Sequence, residues 1–122
     1  MNNWDKLVER RRHKRFELKG RAYVSFNSDQ TKLGQIADIS RGGLAFVSIE
    51  ECGQEAMSVV IFSQGSDFWL DRVPVIFRGQ RSIDSRPFYS LTRLRRYSVQ
   101  FGDLTDHQLS QLDQFIKDYT VH

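Results

Sequence analysis

The feature that most limits how this chain can fold is a succession of six short segments with β-strand patterns. In the first, residues 16–26, apolar residues such as Phe16 and Val24 alternate with polar ones such as Glu17, which is typical of a half-buried strand. The other five segments are residues 33–40, 44–49, 57–62, 69–77 and 91–101. Short strands at regular spacing with antiparallel turn signals favour a small closed barrel.

Residues with turn chemistry separate these segments. An Asn-Ser-Asp run at residues 27–29 follows the first segment, and Arg-Gly-Gly at residues 41–43 lies between the second and the third, where it predicts a tight hairpin. Pro74 falls inside the fifth segment. Because proline has no N–H to donate to a β-ladder, we expect its strand to lie at a sheet edge or to carry a bulge there.

The last predicted element has the period of a helix. Four apolar residues share one helix face: Leu109, Leu112, Ile116 and Tyr119. Thr105 as N-cap and Gln108 three residues later form a capping box, which places the helix at about residues 105–119. The predicted fold class is therefore mainly β, a six-stranded antiparallel barrel with one C-terminal α-helix.

Positive charge is concentrated in two segments, although the net charge of the 122-residue chain is only +3. Residues 9–21 carry seven cations against two acids, and residues 72–96 carry seven against one. The rest of the chain carries −8. A basic site on an acidic body favours a compact anion over a long nucleic acid, which the acidic remainder would repel.

The residues offer no pattern typical of catalysis or of metal binding. Cys52 is the lone cysteine, and His13, His107 and His122 are scattered, so we expect neither an enzyme nor a metal or cofactor site. The length suits one compact domain. No apolar run approaches the ~18 residues that span a bilayer, and the N-terminus lacks the apolar stretch of a secretory signal. We therefore expect a cytoplasmic location without membrane insertion.

Two short motifs occur one after the other along the chain. Residues 11–15 contain Arg-x-x-x-Arg, and residues 38–43 contain Asp-x-Ser-x-x-Gly. In this order and separation, the pair resembles the PilZ domain family, whose members commonly bind the bacterial second messenger cyclic di-GMP. The resemblance covers most of the chain and implies a PilZ-type barrel with a trailing helix, acting as a cyclic di-GMP receptor.

The resemblance assigns ligand binding to six residues: Arg10, Arg11, Arg15, Asp38, Ser40 and Gly43. An arginine fork can donate two parallel hydrogen bonds to the O6 and N7 of guanine, and further arginines can meet phosphate oxygens. Arg10 resembles the arginine that in some relatives favours a stacked pair of ligands, so the resemblance implies a site for up to two molecules per chain. We expect Asp38 to accept from guanine N–H groups, Ser40 to bond a phosphate or a ligand amide, and Gly43 to permit close approach or positive φ.

Several alternatives stay open at this point. Asp38 and Ser40 also suit turn residues that bond their own backbone. The arginines of residues 93–96 either line the same surface as the motifs or form only a solvated strand face, and we favour the second. For the whole chain, one alternative is a barrel that binds single-stranded nucleic acid, which we disfavour. Another is a PilZ-like protein-interaction module without ligand.

The expected mechanism divides the chain into two parts. Residues 1–15 are expected to form a flexible arginine-rich arm, and residues 16–122 the barrel with its helix. An anionic ligand would neutralise the repulsion within the arm, which would then wrap onto the barrel. The reshaped surface would engage a separate protein partner.

Overall fold

The computed structural model describes residues 14–18, 21–26, 31–51, 57–65, 67–83 and 94–120. Its strands are β1 (Phe16–Glu17), β2 (Ala22–Phe26), β3 (Lys32–Ile39), β4 (Gly43–Ser48), β5 (Met57–Ser63), β6 (Trp69–Ser82) and β7 (Arg95–Phe101). A helix, α1 (Asp106–Tyr119), follows the last strand. No helix in these ranges is long and apolar enough to cross a membrane.

Six of the strands close into an antiparallel barrel. The ring runs β2–β3–β4–β7–β6–β5, and β5 pairs with β2 to complete it. All these pairings are antiparallel, and β1 adds a two-residue pairing to β3 outside the ring. The prediction of a six-stranded antiparallel barrel with a C-terminal helix is therefore confirmed.

The first predicted strand is divided in two, which corrects the single strand expected over residues 16–26. Phe16 pairs with Ile39, and Tyr23 pairs with Gln35. Phe16 and Tyr23 are seven positions apart, whereas their partners on β3 are only four positions apart. The pairing register with β3 therefore changes by three residues between β1 and β2. Alternation along the sequence cannot reveal such a register change, because both parts keep their apolar side chains on the inner face.

Pro74 lies on an inner strand beside a bulge, so only the bulge alternative is correct. The residues Asp71 and Arg72 of β6 stand opposite a single residue of β5, and Arg72 has a φ of 55°. The carbonyl of Pro74 accepts a hydrogen bond from Gly102 N at 2.8 Å, and the β6–β7 ladder begins one residue later. The missing N–H would thus fall beyond that ladder, where its loss is tolerated.

The core fills the barrel and continues beneath α1. Within the barrel, the ring of Phe46 lies 5.0 Å from that of Phe26 and 5.2 Å from that of Tyr97. All three side chains are fully buried. At the helix, Phe115 contacts Phe68 with ring centroids 4.7 Å apart. These contacts fix α1 against the end of the barrel.

The predicted capping box is present at the start of α1. Thr105 Oγ1 accepts from Gln108 N, and Gln108 Oε1 accepts from Thr105 N, both at 3.0 Å. Gln108 Nε2 also donates to the carbonyl oxygens of Asp71 at 3.2 Å and Arg72 at 2.9 Å. One side chain thus caps the helix and ties it to the β6 bulge, which fixes where the segment between β7 and α1 lies.

Candidate ligand-binding cleft

A cleft of about 790 Å³ opens where the β3–β4 hairpin meets the segment that joins β7 to α1. The hairpin lines it with residues 40–43, and β7 and the following segment line it with residues 98–104. The side of the cleft is completed by Arg15 and Arg78, and Leu109 of α1 also lines it. The cleft therefore gathers parts of the chain that are far apart in sequence, including Arg15 of the first motif and Ser40 and Gly43 of the second.

The hairpin wall is held in shape by Ser40. Its hydroxyl accepts from the backbone N–H of Gly42 at 3.1 Å and of Gly43 at 3.2 Å, and donates to the carbonyl of Gly43 at 3.2 Å. The backbone N–H of Ser40 donates to the same carbonyl at 2.8 Å, and the residue is only 3% exposed. Ser40 therefore acts as the turn residue that the structural alternative described.

Gly43 allows β4 to approach β7 closely. A Cβ at this position would lie 2.2 Å from the carbonyl oxygen of Val99. The φ of Gly43 is outside the left-handed region, so close approach, and not positive φ, explains the glycine. The tight contact brings the hairpin wall against the β7 wall of the cleft.

Asp38 joins the two motifs through ion pairs with two arginines. Arg15 Nη1 donates to Asp38 Oδ1 at 2.8 Å, and Arg96 Nη2 donates to Asp38 Oδ2. The three side chains are 22%, 15% and 25% exposed for Arg15, Asp38 and Arg96. Charge-assisted bonds in such partly buried positions are stronger than those between exposed groups. Asp38 thus fixes the positions of two guanidinium groups.

One buried donor of Arg15 lacks a partner in the described part of the chain. Its Nε is buried and has no hydrogen-bond partner among the described residues. A buried donor without a partner costs roughly 1–3 kcal/mol, so an acceptor supplied by a bound molecule would be stabilised there. Arg15 is thus anchored through Nη1, while its buried Nε is left without an acceptor in these ranges.

The cleft lining is positively charged. It includes Arg41 and Arg78 as well as Arg15, against the carboxylate of Asp103. Arg41 Nε lies 2.9 Å from Asp113 Oδ1 of α1, and Arg78 Nε donates to Gln100 Oε1 at 2.8 Å. These contacts orient the arginines without removing the excess of cations. The cleft is therefore suited to an anionic ligand with planar acceptor groups.

Arg96, like Arg41 and Arg78, is a site residue that the sequence interpretation did not include. The solvated strand face expected for residues 93–96 is wrong for Arg96, which contacts Asp38 from β7. Nη1 of the neighbouring Arg95 lies 3.4 Å from Glu51 Oε1. A side-chain hydrogen bond with Tyr97 raises the pKa of Arg95. Only the barrel register brings the Arg96–Asp38 contact about, because Arg96 pairs with Val47 of β4 and reaches across β4 to Asp38 of β3.

Two other predicted ligand residues cannot be located. Arg10 and Arg11 lie outside the described residues, so the first half of the Arg-x-x-x-Arg motif stays a prediction. Within the described ranges, no group of three or more His, Cys, Asp or Glu side chains could hold a metal ion.

Comparison with protein families gives a match over most of the chain, and comparison with curated proteins gives none. The family model described as "PilZ domain" matches residues 9–118 of the chain. No curated protein matches with significance. The family match includes both motifs and all the strands and nearly all of α1.

Solved structures provide similar folds at low identity. The PilZ domain of YcgR from Escherichia coli with c-di-GMP has a TM-score of 0.65 and 16% identity, covering 89% of this chain and 90% of that one. The MrkH–c-di-GMP complex of K. pneumonia has a TM-score of 0.70 and 18% identity, covering 91% of this chain and 52% of that one. This chain therefore spans about half of MrkH. At such identities the likeness concerns the fold.

Proposed function

Because this chain belongs to the PilZ domain family, we propose that it is a receptor for cyclic di-GMP, the ligand present in the YcgR and MrkH structures. The observation that carries the proposal is the Arg15–Asp38 contact at 2.8 Å. It joins the Arg-x-x-x-Arg motif to the Asp-x-Ser-x-x-Gly motif beside a positively charged cleft. The chain acts by binding, as a regulatory domain in the bacterial cytoplasm, and not as an enzyme.

The chemistry of the ligand suits the arginines of the cleft. Cyclic di-GMP presents two guanines with O6 and N7 acceptors and two phosphodiesters. The guanidinium of Arg15 can donate a further N–H to one of these acceptors while Nη1 stays on Asp38. We propose that Arg10 and Arg11 supply further forks to the same ligand or to a second, stacked molecule.

Asp38, Ser40 and Gly43 contribute in different ways. Each carboxylate oxygen of Asp38 holds one arginine but has a second acceptor site, which a guanine N–H can use. The Ser40 hydroxyl already makes three hairpin bonds, so a direct bond to the ligand competes with them. Ser40 and Gly43 therefore support binding mainly by shaping the hairpin wall.

The ligand response uses the segment that precedes the barrel. We propose that residues 1–15 are an arm that orders over the cleft when ligand binds, with Arg15 as its anchor on Asp38. The ordered surface then engages a separate protein partner. Hydrogen exchange of residues 1–15 should slow on saturation with cyclic di-GMP, and unchanged exchange would exclude this response.

The receptor proposal is tested by isothermal titration of cyclic di-GMP into the wild type at moderate salt. Arg15→Ala should lower the affinity by roughly 30-fold to 100-fold, because charge-assisted bonds to the ligand and the anchor are lost together. Arg21→Ala is the matched control, since it removes the same charge from an exposed residue that does not line the cleft. Its affinity should stay within twofold of the wild type.

Two further titrations separate this function from the alternatives. GTP should bind far more weakly than cyclic di-GMP, because it lacks the second guanine. A short single-stranded RNA that bound as tightly as cyclic di-GMP would favour the nucleic-acid alternative. A wild type that bound neither would favour the protein-interaction module.

A further inference from the structure

The outer face of β4, β7 and β6 continues from the cleft to a pair of arginines that neither motif includes. Ser98, which lines the cleft, pairs with Ala45 on one side and with Gly79 on the other. Arg96 pairs with Arg81. Residues directly opposite each other share a face, and so do residues two apart along a strand. The Arg81–Arg96 pair therefore lies one row from Ser98, about 7 Å along the strands.

The cross-strand row between the cleft and this arginine pair carries only short side chains. It consists of the small residues Ala45, Ser98 and Gly79. Ala45 is completely buried, and a Cβ added at Gly79 would meet no atom within 4 Å. Ala45 is therefore covered at the β4 end of the row, whereas the β6 end is open at Gly79. A ligand that rests in the cleft can approach the two guanidinium groups along this open end.

The two positive charges of the Arg81–Arg96 pair are only partly compensated among the described residues. Like charges directly opposite each other on neighbouring strands are destabilising. Asp38 compensates Arg96, whereas Arg81 is exposed and has no ion-pair or hydrogen-bond partner in the described part of the chain. An anion placed between the two side chains would remove the repulsion and satisfy both forks.

We infer that Arg81 and Arg96 form a second anion subsite, which binds a phosphodiester of cyclic di-GMP. This inference rests on the proposed receptor function and adds residues outside the two motifs. The phosphodiester belongs to the molecule in the cleft or to a second molecule stacked on it. In both cases the chemistry is the same, an anionic group between two arginine forks.

Asp38 connects this subsite to the motif site. The same carboxylate holds Arg15 through one oxygen and Arg96 through the other. The distance between the motif arginine and the subsite arginine is therefore fixed before the ligand arrives. Asp38 acts as a positioning residue for both, which lowers the entropy cost of ordering two long side chains on binding.

Titration of cyclic di-GMP into Arg81→Ala, Arg81→Lys and Arg21→Ala tests the inference. Arg81→Ala should bind roughly fivefold to tenfold more weakly than the wild type, or lose the second of two bound molecules. Arg81→Lys should recover part of the affinity, because it keeps the charge and loses the fork. Arg21→Ala should stay within twofold of the wild type. Arg81 is the primary target because Arg96→Ala would also release Asp38.

Thermal unfolding of the free Arg81→Ala protein provides the second readout. Its Tm should equal or slightly exceed that of the wild type, since the substitution relieves repulsion and breaks no hydrogen bond or ion pair among the described residues. Weaker binding with an undiminished Tm assigns Arg81 to the ligand, and the number of bound molecules decides between the two sources of the phosphodiester. Wild-type binding with Arg81→Ala unchanged in affinity and stoichiometry would overturn the subsite alone. Absence of wild-type binding would overturn the receptor function as well.

Discussion

Two parts of the outer surface of the barrel differ in the side chains that neighbouring strands place opposite each other. On the face of β2, β5 and the start of β6, Tyr23, Phe62 and Trp69 form one cross-strand row. Their ring centroids are 5.7 and 5.5 Å apart, and Tyr23 also donates to Gln64 Oε1 at 3.1 Å. On the face of β4, β7 and β6, one cross-strand row consists of small residues, and the next row contains the Arg81–Arg96 pair.

The difference shows which face is arranged for the stability of the sheet and which is not. Aromatic cross-strand pairs stabilise a sheet, whereas like charges opposite each other destabilise it. The arginine face nevertheless carries the Arg81–Arg96 pair beside a cleft. Departures of this kind from local consistency tend to occur where a surface has a function. We refer to the two surfaces as the aromatic face and the arginine face.

The largest expected effect concerns the hairpin that borders the arginine face. Gly43→Ala should lower the free energy of unfolding by about 3 kcal/mol, because the new methyl would lie 2.2 Å from the carbonyl oxygen of Val99 and the backbone must shift. Gly79→Ala is the control on the same face, since its methyl would meet nothing within 4 Å. Chemical denaturation of both variants measures the contrast. Equal effects would mean that β4 and β7 adjust freely.

A change on the aromatic face should separate stability from binding. Phe62→Ala removes the central ring of the row, which stacks on both Tyr23 and Trp69. We expect a loss of about 2 kcal/mol in unfolding free energy, less than for a fully buried phenylalanine because Phe62 is half-buried. The affinity for cyclic di-GMP should not change. A parallel loss of affinity, measured well below the Tm, would show that the two faces are coupled.

A smaller effect is expected from removing the charge that the two arginines share. Asp38→Asn should lower the unfolding free energy by about 1–2 kcal/mol, because two partly buried guanidinium groups lose their counter-ion. Added salt should recover part of this loss by screening their repulsion. Asp113→Asn is the control, since its pair with Arg41 is exposed and should contribute under about 0.5 kcal/mol. A stable Asp38→Asn protein would contradict the positioning role.

Most secondary structure was predictable from local pattern. The apolar alternation located the strands, and the Thr105–Gln108 capping box fixed the start of α1 to the residue. The predictions that were wrong concern features that depend on which strands pair with each other. The break between β1 and β2 and the inner position of Pro74 depend on which strand lies alongside, and the β6 strand runs to Ser82, beyond the predicted end at residue 77.

The site was predictable only in part. The two motifs identified Arg15, Asp38, Ser40 and Gly43, and the structure brings these four to one end of the barrel. Their division of roles was not predictable, since Ser40 bonds its own turn while Asp38 bonds two distant arginines. Arg96 carries no local signal that distinguishes it from the other arginines of the second basic segment.

The sequence by itself determined where most strands lie along the chain, the terminal helix and the charge that favours an anionic ligand. Periodicity, capping and turn chemistry act between residues a few positions apart, so they can be recognised along the chain. Only the tertiary structure decided which charges meet. Asp38 contacts residues 23 and 58 positions away, and those distances are bridged by the closure and register of the barrel, which no local interaction specifies.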